Sequence, residues 1–220
     1  MHLSHRVPAD LEPSDLSARL SASHAAVDLT VSNPTQCGFA YPSAEILAAL
    51  AAPSALRYEP HPLGLSCARE AVTAYLTNHG HLVTPSRLAL TASTSEAYGF
   101  LCKILCDAGD RIATPTPSYP LVEHLATLEG VQTVPYRLQR RTGGWEIDDD
   151  SVREVLHTSH VRAVVVVNPN NPTGGVVDGE QAHRLRALCA ELDVALISDE
   201  VFGPYGPGAK PAPSLGDCGD

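Results

Sequence analysis

Lysine is nearly absent from this chain: Lys103 and Lys210 are the only two, and 15 basic residues face 25 acidic ones. The net charge of −10 leaves no basic stripe, which argues against nucleic acid or an anionic membrane surface as a partner. Long apolar runs are missing too. The purest, such as Ala163 to Val167, fall far short of the roughly 20 residues that cross a bilayer. The first residues, Met1-His2-Leu3-Ser4-His5-Arg6, carry no apolar signal-peptide core. None of the six cysteines, at 37, 67, 102, 106, 189 and 218, forms a Cys-x-x-Cys pair. Cys102 and Cys106 stand one helical turn apart, a metal-ligand spacing, but no histidine stands at ligand spacing beside them. Reduced, mostly buried thiols and a cytoplasmic location are therefore expected. No Gly-x-Gly-x-x-Gly follows a strand, which disfavours a dinucleotide-binding fold. Internal repeats, low-complexity tracts and coiled-coil heptads are lacking as well.

What is present is an ordinary globular fraction of apolar residues, 44%, in a chain long enough to bury a sizeable core. Residues 1–50 read as an N-terminal arm, poor in periodicity, followed by a first helix over Ser43 to Leu50. A loop rich in Pro and Gly follows. Ala68, Ala71, Val72, Tyr75 and Leu76 then fall at helical spacing, with Gly80 suited to the C-terminal cap. Arg87 to Ala92 reads as a strand. Ser93 and Glu96 fit a capping box for a helix to about Asp107. Strands are expected at Arg111 to Thr114, Val131 to Tyr136, Trp145 to Ile147, Val161 to Val167 and Val194 to Ile197. Helices are expected from Ser118 to Gly130, from Ser151 to Thr158, and from the Asp178 cap to Leu192. Continuous Val-rich strands between helices imply a three-layer α/β/α fold with a mostly parallel sheet covered on both faces.

The most informative stretch is Asn168-Pro169-Asn170-Asn171-Pro172-Thr173-Gly174, directly after the strand Val161 to Val167. The next strand ends in Ser198-Asp199-Glu200. Polar groups at the C-terminal ends of parallel strands are where open α/β sheets bind ligands. Together these segments resemble the cofactor site of the fold-type-I pyridoxal-phosphate (PLP) enzymes, the aspartate-aminotransferase-like family. The resemblance runs from about residue 28 to 205 and corresponds to the first half of a family member. On that basis residues 51–220 would form an incomplete large PLP-binding domain.

A PLP site must anchor a dianionic phosphate, hold a flat ring, keep the pyridine nitrogen protonated and carry the aldehyde on a lysine. Ser93-Thr94-Ser95 opens a helix, where free N–H groups and the helix dipole favour an anion. Plain helix capping is the other reading of these residues; the resemblance implies that Thr94 and Ser95, with Ser93 beside them, hold the cofactor phosphate. Tyr119, in Pro115-Thr116-Pro117-Ser118-Tyr119-Pro120, would otherwise be an ordinary loop aromatic; the resemblance makes it the residue stacked on the ring. Asp199 would face the pyridine nitrogen and keep it protonated, whereas a strand-terminal Asp is elsewhere often only a cap. Asn171 would donate to the cofactor's phenolic oxygen. Cis peptides are expected before Pro172, with the bond before Pro117 a second candidate. Tyr58 resembles the tyrosine that reaches the neighbouring subunit's phosphate site, which implies a homodimer; local packing in a loop is the alternative. Ser32-Asn33-Pro34 resembles the segment beside the substrate carboxylate.

Two features depart from the family pattern. Phe202 stands where many members carry a tyrosine that also bonds the phenolic oxygen, although Tyr205 is near in sequence. The second departure is the lysine. Lys103 lies mid-helix, Lys210 lies in a Pro/Gly loop shortly after Asp199, and neither sits in the family's Ser/Lys motif. The arginine of the C-terminal small domain that holds the substrate carboxylate has no counterpart. The resemblance thus implies an aminotransferase that binds PLP and, in intact form, passes an amino group between an amino acid and a 2-oxo acid. This chain would be a truncated product, a frameshift or a fragment, inactive alone. Other expectations from the same fold are a C–S lyase, decarboxylase or acyltransferase. From a different class comes a non-catalytic remnant acting as an interaction domain.

Overall fold

The computed structural model describes residues 4–7, 12, 15–22, 33–206 and 211–216. Ser32, Lys210 and Cys218 lie outside these residues. The chain divides into two compact units, one of residues 8–61 and the other of residues 1–7 with 62–220. The smaller unit holds α1 (Asp15–Ala22), α2 (Ser43–Leu50) and short turns at Pro34–Gln36 and Pro53–Leu56. Asn33 caps the first of these turns by accepting from the Thr35 amide at 3.0 Å.

The larger unit is built on a five-stranded sheet in the order β3-β2-β1-β4-β5. Its strands are β1 (Arg111–Thr116), β2 (Gln132–Arg141), β3 (Gly144–Ile147), β4 (Val161–Val167) and β5 (Ala195–Asp199). β2, β1, β4 and β5 run parallel, and β3 closes one edge antiparallel to β2. Along β4 the apolar run splits by strand alternation. Val164 and Val166 enter a core with Tyr136, Val152, Leu156, Leu185 and Leu188. Ala163 and Val165 enter a second core with Tyr98, Cys102, Ile112, Val122 and Ala126. The first core lies under α6 (Asp149–Thr158) and α7 (Gly179–Glu191); the second lies under α4 (Thr94–Leu105) and α5 (Leu121–Leu128). An unbroken valine run is what a central strand buried on both faces requires.

The helix starts follow their caps. Ser93 accepts from the Glu96 amide at 3.2 Å to open α4, while the Glu96 carboxylate takes the Ala92 amide at 2.6 Å. Asp148 opens α6 through the Ser151 amide at 3.2 Å, and Asp178 opens α7 through the Gln181 amide at 2.7 Å. α3 (Ser66–Asn78) ends as Gly80 and His81 return amides to Thr77 and Leu76, both at 3.0 Å.

Two expectations are corrected. The segment from Arg87 to Ala92 is not a strand. Leu88 is extended, with φ −107° and ψ 132°, but no strand lies beside the segment among the described residues. It is tied instead to the loop before α3, by the Leu90 amide on the Leu63 carbonyl at 3.0 Å. Arg69, buried in α3, braces the same loop by donating to Gly64 O at 3.1 Å and Pro85 O at 2.6 Å. The second correction is the start of α5, which is Leu121 with Pro120 at the N-cap, not Ser118. A proline disfavours helical backbone in the residue before it, so Tyr119 and Ser118 stay outside the helix.

Candidate cofactor site

The strand ends converge. β1, β4 and β5 are parallel neighbours, so Thr116, Val167 and Asp199 finish on one edge of the sheet. Three hydrogen bonds tie the loops leaving that edge to one another and to α4. The buried Asn170 donates from Nδ2 to Pro117 O at 3.2 Å, joining the β4 loop to the β1 loop. The Asn168 amide donates to Asp199 O at 2.9 Å, joining the ends of β4 and β5. The Tyr98 phenol donates to Asp199 Oδ2 at 2.9 Å, joining β5 to α4.

The Asn168–Gly175 loop is itself fixed from within. Asn168 is fully buried; its Nδ2 donates to Pro213 O at 2.7 Å and its Oδ1 accepts from the Val177 amide at 3.0 Å. The Asn170 amide donates to Gly175 O at 2.8 Å, and the Gly174 amide returns to Asn170 O at 2.7 Å. Gly175 has no alternative, because a Cβ there would stand 2.7 Å from the Trp145 carbonyl. The bonds before Pro117 and Pro172 are cis, as the sequence led us to expect, and the bond before Pro169 is cis as well.

Thr94, Ala97, Tyr98 and Leu101 of α4 and Ile197, Asp199 and Val201 line a shallow cleft of about 130 Å³. The first turn of α4 and the β5 carboxylate thus share one space. Asp199 is held at both oxygens: Oδ1 accepts from the Val201 amide at 3.1 Å while Oδ2 takes Tyr98. Its neighbour Glu200 is engaged separately, accepting from the Ser198 hydroxyl at 2.6 Å and the Leu215 amide at 2.8 Å. Tyr119 lies in the β1 loop, 51% exposed, with its ring free of the core. Asn171, half-buried, lies in the loop that leaves β4. Ser95 follows Thr94 in the first turn of α4. Tyr58 belongs to the smaller unit and is 90% exposed.

Tyr98 is the site residue the sequence reading missed. A signal for it existed: a tyrosine on the apolar stripe of α4 needs a partner for its hydroxyl once buried. Burial first, then the charge and hydrogen bond of Asp199, pushes this phenol well above the ordinary tyrosine range, so it stays a donor. Lys103 points elsewhere. Its ammonium pairs with Glu129 and reaches Gly99 O at 3.4 Å, on the exposed side of α4.

The residues fit PLP. Helix-terminal donors suit a dianion, a fixed carboxylate suits a protonated ring nitrogen, and an exposed aromatic and an amide stand on the adjacent loops. A parallel sheet covered on both faces, with this donor set at its C-terminal edge, defines a fold-type-I PLP-binding domain.

The comparisons with known proteins agree. The chain belongs to the aminotransferase class I and II family, which matches residues 27–217. It is 33% identical over 190 residues to the alanine aminotransferase of Mycobacterium tuberculosis, covering 84% of this chain and 43% of that one. Its fold superposes on the alanine aminotransferase from Pyrococcus furiosus with a TM-score of 0.70 at 30% identity, over 79% of this chain and 44% of that one. It also superposes on a PLP-bound C–S lyase from Staphylococcus hominis with a TM-score of 0.60 at 28% identity, over 66% and 37%. The chain spans less than half the length of the curated relatives it matches, 29% to 43% of the first four. Among the described residues no helix is long and apolar enough to cross a membrane.

Proposed function

We propose that this chain is the cofactor-binding portion of a PLP-dependent aminotransferase, acting in the cytoplasm as part of a homodimer. The observation that carries the reading is the cleft in which Thr94 and Asp199 stand opposite each other, with Asp199 fixed at both oxygens. Ser93, Thr94 and Ser95 bind the phosphate with hydroxyls and free amides at the start of α4. Tyr119 covers one face of the ring, and Asn171 donates to its phenolic oxygen. Phe202 has no donor to add to that bond. Asp199 holds a proton on the pyridine nitrogen by charge pairing. When bound, PLP withdraws electrons from the Cα of an amino acid, the chemistry by which an amino group passes to a 2-oxo acid. Tyr58 of one protomer serves the phosphate of its partner.

Binding and turnover separate in this chain. The described lysine, Lys103, is held by Glu129 outside the cleft. Neither Lys103 nor Lys210 stands in the family's Ser/Lys motif, so we infer that the 220-residue chain alone binds PLP without a covalent link and does not transfer amino groups. A C–S lyase reading uses the same residues and rests on the likeness to the Staphylococcus hominis enzyme; fold alone does not choose between the two.

The test is a spectral titration of the purified chain with PLP, followed by borohydride reduction and mass spectrometry. Saturable binding is expected. Asp199→Ala should weaken it about 10- to 100-fold, the equivalent of a charge-assisted interaction of about 1.5–3 kcal/mol. No reduced adduct is expected on Lys103. A stable adduct on Lys210 would overturn the reading that this chain lacks its covalent lysine, and equal affinity in Asp199→Ala would overturn the site.

A further inference from the structure

We propose that Tyr98 is a positioning residue for the Asp199 carboxylate, its phenol and the Val201 amide holding one oxygen each so that the charge faces the cleft in a single orientation. The inference rests on the reading of the cleft as a PLP site and adds a residue to it.

The geometry is specific. Tyr98 is one turn past Thr94 in α4, so the helix that offers its first turn to an anion also sets the acid at the other side of the cleft. The ring is 7% exposed and packs with Cys102, Ile112, Val165 and Ile197, leaving its hydroxyl one described acceptor, Asp199 Oδ2 at 2.9 Å. A buried ring anchored along its length cannot swing away, unlike a surface donor. Oδ1 is fixed by the backbone of its own turn, at 3.1 Å. A carboxylate held by two donors has lost its rotational freedom before any ligand arrives, so binding does not have to order it.

The same bond runs in one direction: a phenol that remains protonated donates, and the carboxylate accepts. The groups around the pair are few. α4 contributes Tyr98, with Cys102 a turn further on, and β2 contributes Tyr136, whose hydroxyl is committed to Val165 O at 2.8 Å. On β5 itself, Glu200 is engaged with Ser198 and Leu215. Among the described residues no Lys, Arg or His forms an ion pair with Asp199. Among the described residues the phenol is thus the side chain that holds this acid in place.

The experiment is carbonyl-carbon NMR of aspartate in the full chain without cofactor, comparing wild type with Tyr98→Phe, and Asp199→Ala to assign the signal. Loss of the phenol should move the Asp199 side-chain carbonyl signal at constant pH. In parallel, Tyr98→Phe should weaken PLP binding about 3- to 10-fold in the wild-type background and not in Asp199→Ala, because the phenol acts through that carboxylate. A ring that served only to fill the core would leave the signal in place and weaken binding equally in both backgrounds, and that result overturns the proposal. Should Tyr98→Phe not fold, the wild-type Tyr98 hydroxyl proton decides: slow exchange that vanishes in Asp199→Ala supports the bond, and unchanged exchange overturns it. If wild type binds no PLP, the proposed function fails, while the position of the Asp199 carbonyl signal still decides what Tyr98 does.

Discussion

Cys189 shows how a single buried group makes this protein sensitive to alkali. It sits in α7 at 3% exposure, and burial alone pushes its thiol from the ordinary 9.0 up to about 11. A folded-state value above the unfolded one means that stability is complete below pH 9 and is lost as pH rises toward 11. Cys106 is likewise raised to about 11, burial leading, and Cys102 is raised for the same first reason. Urea unfolding at pH 8 and at pH 10.5 should therefore show a fall in stability, and Cys189→Ala should show a smaller fall than wild type. An equal fall in both would remove Cys189 as a cause. The exposed Cys37 and Cys67 should react with a thiol reagent at once at pH 8, and Cys102 and Cys189 only after unfolding. At this scale the places of Thr94 and Asp199, at a helix start and a strand end that line one cleft, were readable because caps and strand ends carry local signals. Tyr98 was not, because its partner is 101 positions away in sequence and only the packed sheet brings the two together.

Elements were legible where both faces of a segment have a consistent environment. Val161 to Val167 was read at its observed bounds, since a strand buried on both faces is apolar throughout. The capped helices α4 and α7 were located by residues that bond their own first turn. β2 runs on to Arg141, beyond the expected Tyr136, because its polar end pairs with β3 at an edge, from Leu138↔Ile147 to Arg141↔Gly144. Arg87 to Ala92 shows the opposite case. Its composition suits a strand, but strand formation depends on a partner that local sequence does not specify. What fixes this segment is Gly64. That residue has φ +88°, and a Cβ on it would stand 2.8 Å from the Leu90 side chain. Gly64→Ala combines left-handed strain with a clash and should cost about 1–3 kcal/mol. A lower urea midpoint at an unchanged slope is the expected outcome, and an unchanged midpoint would show that the loop before α3 does not hold the segment.

On the scale of the whole molecule, the cleft and the fold are one thermodynamic system. The hydrogen bonds of Asn170 to Pro117, Asn168 to Asp199 and Tyr98 to Asp199 join α4 and the loops after β1, β4 and β5. A ligand that touches Thr94, Tyr119, Asn171 and Asp199 at once binds only when all of these are in place, so it binds the folded state and not the unfolded chain. Ligation at 100 times Kd then adds about 2.7 kcal/mol to the stability of the larger unit. For a chain of this size each kcal/mol moves Tm by about 2–4 °C, so PLP should raise it by roughly 5–10 °C. Asp199→Ala should lose most of that shift at the same PLP concentration, because its Kd is higher. Tyr98→Phe should lose part of it. A surface adduct of the aldehyde with an exposed amine would behave otherwise. It would engage Lys103 or the N-terminus regardless of Asp199, and would leave Tm nearly unchanged in all three proteins. The pattern of shifts across the three chains therefore separates a cofactor held by the fold from one that merely reacts with its surface.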